Sequence, residues 1–257
     1  MVVLKSIAMA FLMFSRIPMP RVRYGGDGMK LALAFMPLVG AVIGAVVIGW
    51  MYLCEALNVS ALLYAAGLAL IPVAVTGGIH LDGMCDVTDA LASHGDLQKK
   101  RSILKDPHCG AFAVIGVCAY MLLYVALCAE LPREGVFAIA CAHIVSRVCA
   151  GAYAVLAAPA QGEGMGNAFR SGAHAKWSLC ILALFGALAA LGFALANAVG
   201  GAAVALCAAV TCALVAVMAK KQFGGMSGDV AGYMVQLIEL IAVGSLVIVD
   251  KAVALWF

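Results

Sequence analysis

Three aspartates stand in the longest polar segment of an otherwise apolar chain. Asp82, Asp86 and Asp89 are spaced i, i+4 and i+7 within Gly77-Gly78-Ile79-His80-Leu81-Asp82-Gly83-Met84-Cys85-Asp86-Val87-Thr88-Asp89. At about 100° per residue, all three fall on one face of a helix. Their charges repel one another, and carboxylate oxygens are ligands of hard cations such as Mg²⁺ or Mn²⁺. The spacing therefore predicts a divalent-metal site, with acids at a solvated helix start as the alternative.

His80 comes directly before the acidic stripe. A helix that already runs through this position would point His80 away from Asp82. A break at the two preceding glycines, Gly77 and Gly78, would instead let the imidazole turn inward. We treat His80 as a candidate catalytic residue, with a structural histidine as the alternative, and the general base stays open.

A second glycine-rich segment, Phe223-Gly224-Gly225-Met226-Ser227-Gly228-Asp229, precedes a long apolar stretch. The backbone N–H groups of its three glycines, together with the start of the next helix, are expected to cradle phosphate oxygens, and Gly224, Gly225 and Ser227 are the candidate phosphate-binding residues. Asp229 would add a fourth carboxylate to the metal site. The glycine-rich segment that ends at Arg170 is interpreted as a connector or a flexible cover.

Two basic residues stand in turns that suit an anionic ligand. Arg16 lies in the proline-stiffened segment Phe14-Ser15-Arg16-Ile17-Pro18-Met19-Pro20, and Lys105 follows a short helix that Asp96 is predicted to cap. Arginine is well suited to bidentate phosphate contacts. Both residues are predicted to bind phosphate, with plain surface charges as the alternative.

Two ionisable residues fall inside apolar segments, where a charge is costly and is by default a functional hypothesis. Glu239 lies on one helical stripe with Asp229, Gly232 and Gln236, and Arg147 lies in another apolar segment. We expect Glu239 to face inward, where it either meets Arg147 or closes the bottom of a substrate cavity. Arg147 is also a candidate substrate- or phosphate-binding residue.

The composition indicates what kind of protein positions these groups. Hydrophobic residues make up 65% of the chain, charged residues 11%, and the mean hydropathy is +1.08. Soluble domains carry about 25% charged residues, so the composition is typical of a polytopic membrane protein. The ten cysteines form no C-x-x-C pair, which argues against a zinc site or a disulfide framework.

We predict an all-α membrane bundle of about seven transmembrane helices that forms a single catalytic domain over residues 1–257. A short N-terminal helix, Met1 to Phe14, is expected to be interfacial or re-entrant because it is too short to span about 30 Å. The seven segments run over Leu31–Leu57, Ala61–Thr76, Ala111–Leu131, Gly135–Ala157, Trp177–Ala196, Gly201–Ala219 and Val230–Val249.

The basic residues predict the orientation of the bundle. This arrangement places 13 of the 16 lysines and arginines at one end. The positive-inside rule makes that end cytoplasmic, together with the N-terminus and the segments holding Arg16, Asp82, Arg170 and Asp229. All the unusual polar motifs then face the cytoplasm. Carboxylates, glycine turns and basic residues on one face indicate chemistry on a phosphorylated or pyrophosphorylated substrate.

Together, these residues resemble the cobalamin synthase (adenosylcobinamide-GDP ribazoletransferase) family. The resemblance rests on five motifs that keep the family's order: Phe14-Ser15-Arg16-Ile17-Pro18, Met36-Pro37-Leu38-Val39-Gly40-x-x-x-Gly44, Gly77-Gly78-Ile79-His80-Leu81-Asp82-Gly83-x-x-Asp86-x-x-Asp89, Lys105-Asp106-x-x-x-Gly110-Ala111-Phe112 and Gly224-Gly225-x-Ser227-Gly228-Asp229.

The resemblance implies a Mg²⁺-dependent enzyme of late vitamin B12 assembly in a bacterial or archaeal cytoplasmic (inner) membrane. Its substrates would be adenosylcobinamide-GDP and α-ribazole or its 5′-phosphate, joined by attack of a ribose 3′-hydroxyl with release of GMP. No nucleic acid partner is expected, whereas an oligomer or contacts with other cobalamin-assembly enzymes stay open. The alternatives are a CDP-alcohol phosphotransferase-like lipid enzyme, whose arginine-containing motif is not matched here, and a transporter.

Overall fold

A computed structural model describes residues 1–23, 26–158, 160 and 174–256. The described part contains ten α-helices and no β-strand, which confirms the all-α prediction. The helices are α1 (Val2–Phe14), α2 (Met36–Ala56), α3 (Ala61–Thr76), α4 (Ile79–Ala92), α5 (Leu97–Ile103), α6 (Ala111–Glu130), α7 (Val136–Leu156), α8 (Ala175–Ala196), α9 (Ala198–Phe223) and α10 (Gly228–Trp256). Short 3₁₀ turns cover Asp27–Leu31, Leu33–Phe35 and Arg133–Gly135.

Six of these helices are long and apolar enough to cross a membrane, namely α2 with its preceding turn, α6, α7, α8, α9 and α10. The pair α3 and α4 passes the same criteria together, although its halves meet at an angle of 96°. The number of possible spans is therefore six or seven, in agreement with the prediction of about seven. Helix α1 has 13 residues and is shorter than a span.

Side-chain caps fix where several helices begin. Ser60 Oγ accepts a hydrogen bond from the Leu63 N–H at the start of α3, and Asn197 Oδ1 accepts one from the Gly200 N–H at 2.7 Å. Asp96 Oδ1 accepts from the Lys99 N–H at 2.8 Å, which confirms its predicted capping role. Each cap satisfies an N–H that lacks a partner within its own helix.

The sharp bend between α3 and α4 lies at two successive glycines. Gly77 and Gly78 both adopt left-handed backbone conformations, with φ of 67° and 80°, which residues with a Cβ rarely adopt. Just before them, Pro72 removes one backbone donor and the Thr76 hydroxyl donates to the Pro72 carbonyl at 2.8 Å. The predicted break is therefore present, and α4 runs almost perpendicular to α3.

The core forms where α2 lies along α7 and where α10 packs against α4, α7 and α9. Val39, Ile43 and Val47 of α2 are fully buried against small and aliphatic residues of α7, among them Ile139 and Ala142. Helix α10 thus contacts both the acidic helix α4 and the central helix α7. It is the element that connects the polar end of the bundle to its interior.

Contacts at the opposite end hold the tight connections together. The Arg133 guanidinium donates to the Val59 carbonyl at 3.1 Å and stacks over the Tyr64 ring at 5.1 Å. Lys251 pairs with Glu130 at 3.0 Å. The turns after α2 and α6 and the last part of α10 therefore share one end, and the motifs rich in glycine and acidic residues lie at the other.

Candidate functional site

A close helix crossing brings the acidic helix α4 against the start of α10. A Cβ at Gly83 would lie 2.8 Å from the Asp229 carbonyl oxygen, and one at Gly232 would lie 3.1 Å from the His80 carbonyl oxygen. The two backbones can approach this closely only because both positions are glycine. The crossing places Asp82 and Asp86 beside Asp229, as the sequence predicted.

The four predicted carboxylates form one negatively charged cluster. Asp82, Asp89 and Asp229 lie near enough to Asp86 for their charges to repel its carboxylate. Asp82 is exposed, whereas Asp86, Asp89 and Asp229 are half-buried. No lysine, arginine or histidine pairs with any of the four within the described part of the chain. The cluster thus carries negative charge that the neighbouring described residues do not neutralise.

This donor chemistry fits a hard divalent cation, but the described residues do not form a closed cage of three or more ligands. Mg²⁺ keeps several waters and is usually held by one or two carboxylates together with substrate phosphates. An open set of carboxylates at a cleft suits Mg²⁺ binding of this kind, because the cation keeps positions for water and for substrate phosphates. The metal role of Asp82, Asp86, Asp89 and Asp229 stays a prediction.

Asp89 has a structural role that the spacing did not reveal. Its two carboxylate oxygens accept hydrogen bonds from the Gly110 N–H at 2.6 Å and the Ala113 N–H at 2.8 Å. These are unpaired donors at the start of α6, so Asp89 caps that helix from a distance in sequence. Asp89 therefore differs from Asp82 and Asp86, and any metal contact it makes has to share these oxygens.

His80 turns inward, as the break at Gly77 and Gly78 predicted. Only 4% of its surface is exposed, and its ring stacks on Phe14 with 6.2 Å between centroids. Its Nε2 atom is buried and has no hydrogen-bond partner. The imidazole also lines a cleft that contains Asp82 and Asp229. The ring therefore borders the cleft, while its Nε2 atom itself has almost no exposed surface.

Arg16 lies at the same end of the bundle, across the α3–α4 break. Its backbone N–H donates to the Val75 carbonyl at 2.8 Å, and its side chain packs over Gly77. The side chain is exposed and lines a second cleft, which also contains Asp82. The structure therefore brings a predicted phosphate-binding arginine to the acidic cluster.

Two clefts adjoin at the end of α1. The one lined by Arg16 has a volume of about 740 Å³, and the one lined by His80 and Asp229 has a volume of about 420 Å³ and is more enclosed. Both fall in the range of about 300–1,000 Å³ that is usual for ligand pockets. Asp82 lines both clefts.

The helix ends use several polar groups of the glycine-rich segment after α9. The N–H groups of Gly224 and Gly225 both point back to the Ala219 carbonyl and close the end of α9. Ser227 Oγ accepts from the Val230 N–H at 3.2 Å and caps α10. The N–H groups of Gly224 and Gly225 are therefore used at the end of α9, whereas Ser227 only accepts a bond, and the phosphate-binding role of the three residues stays a prediction.

Two basic residues of α5 fix this helix against the end of α9. Arg101 Nε donates to the Phe223 carbonyl at 2.8 Å, and Lys100 Nζ donates to the Gln222 side chain. Cations at a helix C-terminus satisfy its free carbonyl groups and its dipole. This contact holds the polar segment after α4 in place. The segment that ends at Arg170 lies outside the described residues.

The predicted phosphate ligand Lys105 lies on the exposed turn between α5 and α6. Next to it, Asp106 accepts hydrogen bonds from the backbone N–H of His108 at 3.0 Å and from its ring at 2.7 Å. These bonds hold the pKa of Asp106 below its ordinary value. The turn leads to Gly110 and its bond with Asp89, but no described contact joins Lys105 to the acidic cluster, and its phosphate-binding role stays a prediction.

Glu239 and Arg147 meet in the bundle interior, which confirms the first of the two expectations for Glu239. Arg147 donates to Glu239 Oε1, as does Ser146 Oγ at 3.1 Å, and His143 Nδ1 lies 3.0 Å from the same oxygen. Both partners are at most 2% exposed. The phosphate-binding prediction for Arg147 is therefore not supported, because phosphate would have to displace a buried carboxylate.

Comparisons with known proteins match nearly the whole chain. A model of the family described as cobalamin-5-phosphate synthase matches residues 6–247. An adenosylcobinamide-GDP ribazoletransferase of Lachnoclostridium phytofermentans is 33% identical over 98% of this chain and 97% of its own length. Proteins of the same name from Clostridium botulinum strain Alaska E43 and Geobacillus kaustophilus are 33% and 30% identical, covering 94% and 95% of this chain and 96% of each relative. No solved structure gives a significant match.

Proposed function

The chain belongs to the cobalamin-5-phosphate synthase family, and from that premise we propose that it is an adenosylcobinamide-GDP ribazoletransferase. It joins adenosylcobinamide-GDP to α-ribazole or its 5′-phosphate and releases GMP. The observation that carries this proposal is the unneutralised cluster of Asp82, Asp86 and Asp229 beside the exposed Arg16. Negative carboxylates with a nearby arginine suit the handling of a pyrophosphate.

The reaction replaces a phosphoanhydride bond with a phosphate ester bond. The ribose 3′-hydroxyl of the ribazole attacks the phosphorus attached to the cobinamide, and the bond from that phosphorus to the GMP oxygen breaks. The hydroxyl proton leaves to a base, and GMP departs with the electron pair. Such a step depends mainly on alignment of the attacking and leaving oxygens and on neutralisation of charge.

The chain's own residues divide these tasks. Arg16 donates to pyrophosphate oxygens and holds the leaving nucleotide. His80, which lines the cleft beside Asp82 and Asp229, accepts the proton of the attacking hydroxyl. Asp82, Asp86 and Asp229 would hold Mg²⁺, with Asp89 beside them. When bound, Mg²⁺ neutralises phosphate charge and orients the pyrophosphate.

The charge distribution supports a cytoplasmic site in a bacterial cytoplasmic membrane. The acidic cluster lies at the end of the bundle with α5, whose lysines and arginine also lie there. Positively charged ends of membrane bundles remain in the cytoplasm. Both substrates then reach the site from the cytoplasm, and the whole chain works as a single catalytic unit in the bilayer.

The test uses the full chain purified in detergent or in native membranes. Adenosylcobinamide-GDP and α-ribazole 5′-phosphate are supplied with and without Mg²⁺, and release of GMP is followed. We expect Mg²⁺-dependent turnover that falls by several orders of magnitude in Asp82→Asn and Asp86→Asn. The matched control is Asp96→Asn, since Asp96 is an exposed carboxylate of the same polar segment and asparagine caps a helix equally well.

Two results would contradict the proposal. Folded wild-type protein that releases no GMP with either form of ribazole would refute the reaction. Full Mg²⁺-dependent turnover in both aspartate variants would refute the assigned role of the cluster while the reaction itself stands.

A further inference from the structure

The two clefts at the polar end share one narrow border. Leu12 and Met13 of α1 and Ile79 and Asp82 of α4 line both of them. The last turn of α1 therefore forms a wall between two spaces, and the Asp82 carboxylate is the polar group at their meeting point. A wall of this kind suits a reaction between two different molecules.

The larger cleft has the features of an anion site. It is the more open of the two and carries the exposed Arg16 side chain, which packs over Gly77 at the α3–α4 break. The hydroxyls of Ser15 and Thr76 also line it but donate to the Phe11 and Pro72 carbonyls, so the guanidinium of Arg16 is the group of this lining that can bind an anion. A guanidinium at an open cleft can reach phosphate groups whose bulky substituent stays outside.

The smaller cleft has the features of a site for a flat apolar group. Phe14, Leu33, Met36 and Met226 contribute aromatic, aliphatic and thioether surface to it. Methionine sulfur makes favourable contacts with aromatic rings. The ionisable side chains of its lining are the carboxylates of Asp82 and Asp229 and the imidazole of His80, which is 4% exposed.

Resting on the proposed function, we propose that each cleft holds a different substrate. The larger cleft binds the guanosine pyrophosphate end of adenosylcobinamide-GDP, with its corrin ring outside the bundle. The smaller cleft binds the benzimidazole ring and ribose of α-ribazole. The chemistry of the linings carries this assignment, because one substrate brings two phosphates and a ring system too large to be enclosed, and the other brings a flat aromatic base.

This arrangement sets the direction of the reaction across the border. The ribose 3′-hydroxyl points from the smaller cleft past Asp82 toward the phosphorus in the larger one. Its proton passes to His80, which lines the smaller cleft, a new phosphorus–oxygen bond forms at the border, and GMP leaves through the larger cleft with the broken bond's electrons. Each substrate thus occupies its cleft without displacing the other.

In the test, a substitution narrows one cleft at a time, and the KM values for both substrates are measured. Ala231→Leu adds volume to the smaller cleft, and Val117→Phe adds volume to the larger one. Ala252→Leu, on an exposed position far along α10, is the matched control. Arg16→Ala removes the charge of the larger cleft, and Arg16→Lys restores the charge without the bidentate geometry.

We expect Ala231→Leu to raise the KM for α-ribazole about tenfold or more and to leave the KM for adenosylcobinamide-GDP unchanged. Even one extra methylene group in an apolar pocket has an effect of about this size. Val117→Phe should raise the KM for adenosylcobinamide-GDP and leave the KM for α-ribazole unchanged. Arg16→Ala should raise the KM for adenosylcobinamide-GDP by about tenfold to a hundredfold, the usual loss of a charged hydrogen bond, with partial rescue by lysine. Equilibrium binding of α-ribazole alone should weaken only in Ala231→Leu.

The outcomes separate this inference from the reaction on which it rests. The assignment is overturned, and the reaction stands, if the wild type turns over but the two narrowing variants show the reverse selectivity. The same holds if either variant raises the KM values of both substrates equally. Absence of GMP release by folded wild type overturns the reaction and the assignment together. A misfolded Ala231→Leu is replaced by Ala154→Val, which narrows the same cleft with less added volume and carries the same expectation.

Discussion

Substitution of Gly83 by alanine should separate the two halves of the acidic cluster. The new Cβ would lie 2.8 Å from the Asp229 carbonyl oxygen and 2.9 Å from its Cα, whereas ordinary contacts begin near 3.4 Å. The obstructing atoms belong to backbone, so no side chain can rotate away, and α4 must move from α10 by about half an ångström. Overpacking of this kind costs about 1–3 kcal/mol of stability.

The same displacement should lower turnover in the folded fraction. A misplacement of about 1 Å costs about 10²-fold in rate, so half of that predicts a loss of about tenfold. Release of GMP per folded molecule, with Tm in detergent, measures both effects. Gly49→Ala is the matched control, because Gly49 lies in α2 with open space around its Cβ position and should be neutral or gain up to about 1 kcal/mol. Wild-type turnover and Tm in Gly83→Ala would refute the reasoning.

Three other outcomes follow from the contacts described above. Asp89→Ala should lower the free energy of unfolding by about 1–2 kcal/mol because α6 loses its cap, and an unchanged Tm would show that the cap is not needed. Glu239→Gln leaves Arg147 charged in the core and should destabilise by about 3–5 kcal/mol while the folded fraction keeps its specific activity; lost activity at an unchanged Tm would contradict this. Without the native cysteines, an impermeant thiol reagent outside the cell should label Glu134→Cys and miss Ser102→Cys, and the reverse pattern would overturn the proposed orientation.

The apolar pattern and its glycine breaks predicted most of the fold. The segment Ala61–Thr76 is α3 with the same bounds, and the segment Ala111–Leu131 extends one residue beyond α6. The break at Gly77 and Gly78 and the meeting of Glu239 with Arg147 were also predicted. These features depend on local backbone freedom and on the cost of a charge in an apolar medium, which are properties of the residues themselves.

The roles of Asp89 and of the glycines after α9 were not predicted, for two different reasons. The bonds from Asp89 to the start of α6 depend on how α4 and α6 approach each other. The distance in sequence between Asp89 and Gly110 does not indicate that these helices meet. The end of α9 did have a signal, because Lys220 and Lys221 followed by Gly224 and Gly225 are typical of a helix C-terminus. Helix-ending chemistry and phosphate-binding chemistry use the same glycines, and here the bonds to the Ala219 carbonyl use their N–H groups.

Arg147 enters the membrane long before its partner is made. It lies 92 residues ahead of Glu239, and α8 and α9 are both synthesised between them. A lone arginine at the centre of an inserting helix costs about 2.5–3.5 kcal/mol, which the apolar residues of α7 must outweigh. The charge is neutralised only when α10 arrives. Until then an unpaired cation lies within the bilayer, so insertion of α10 is the step of biogenesis that stabilises α7 in the membrane.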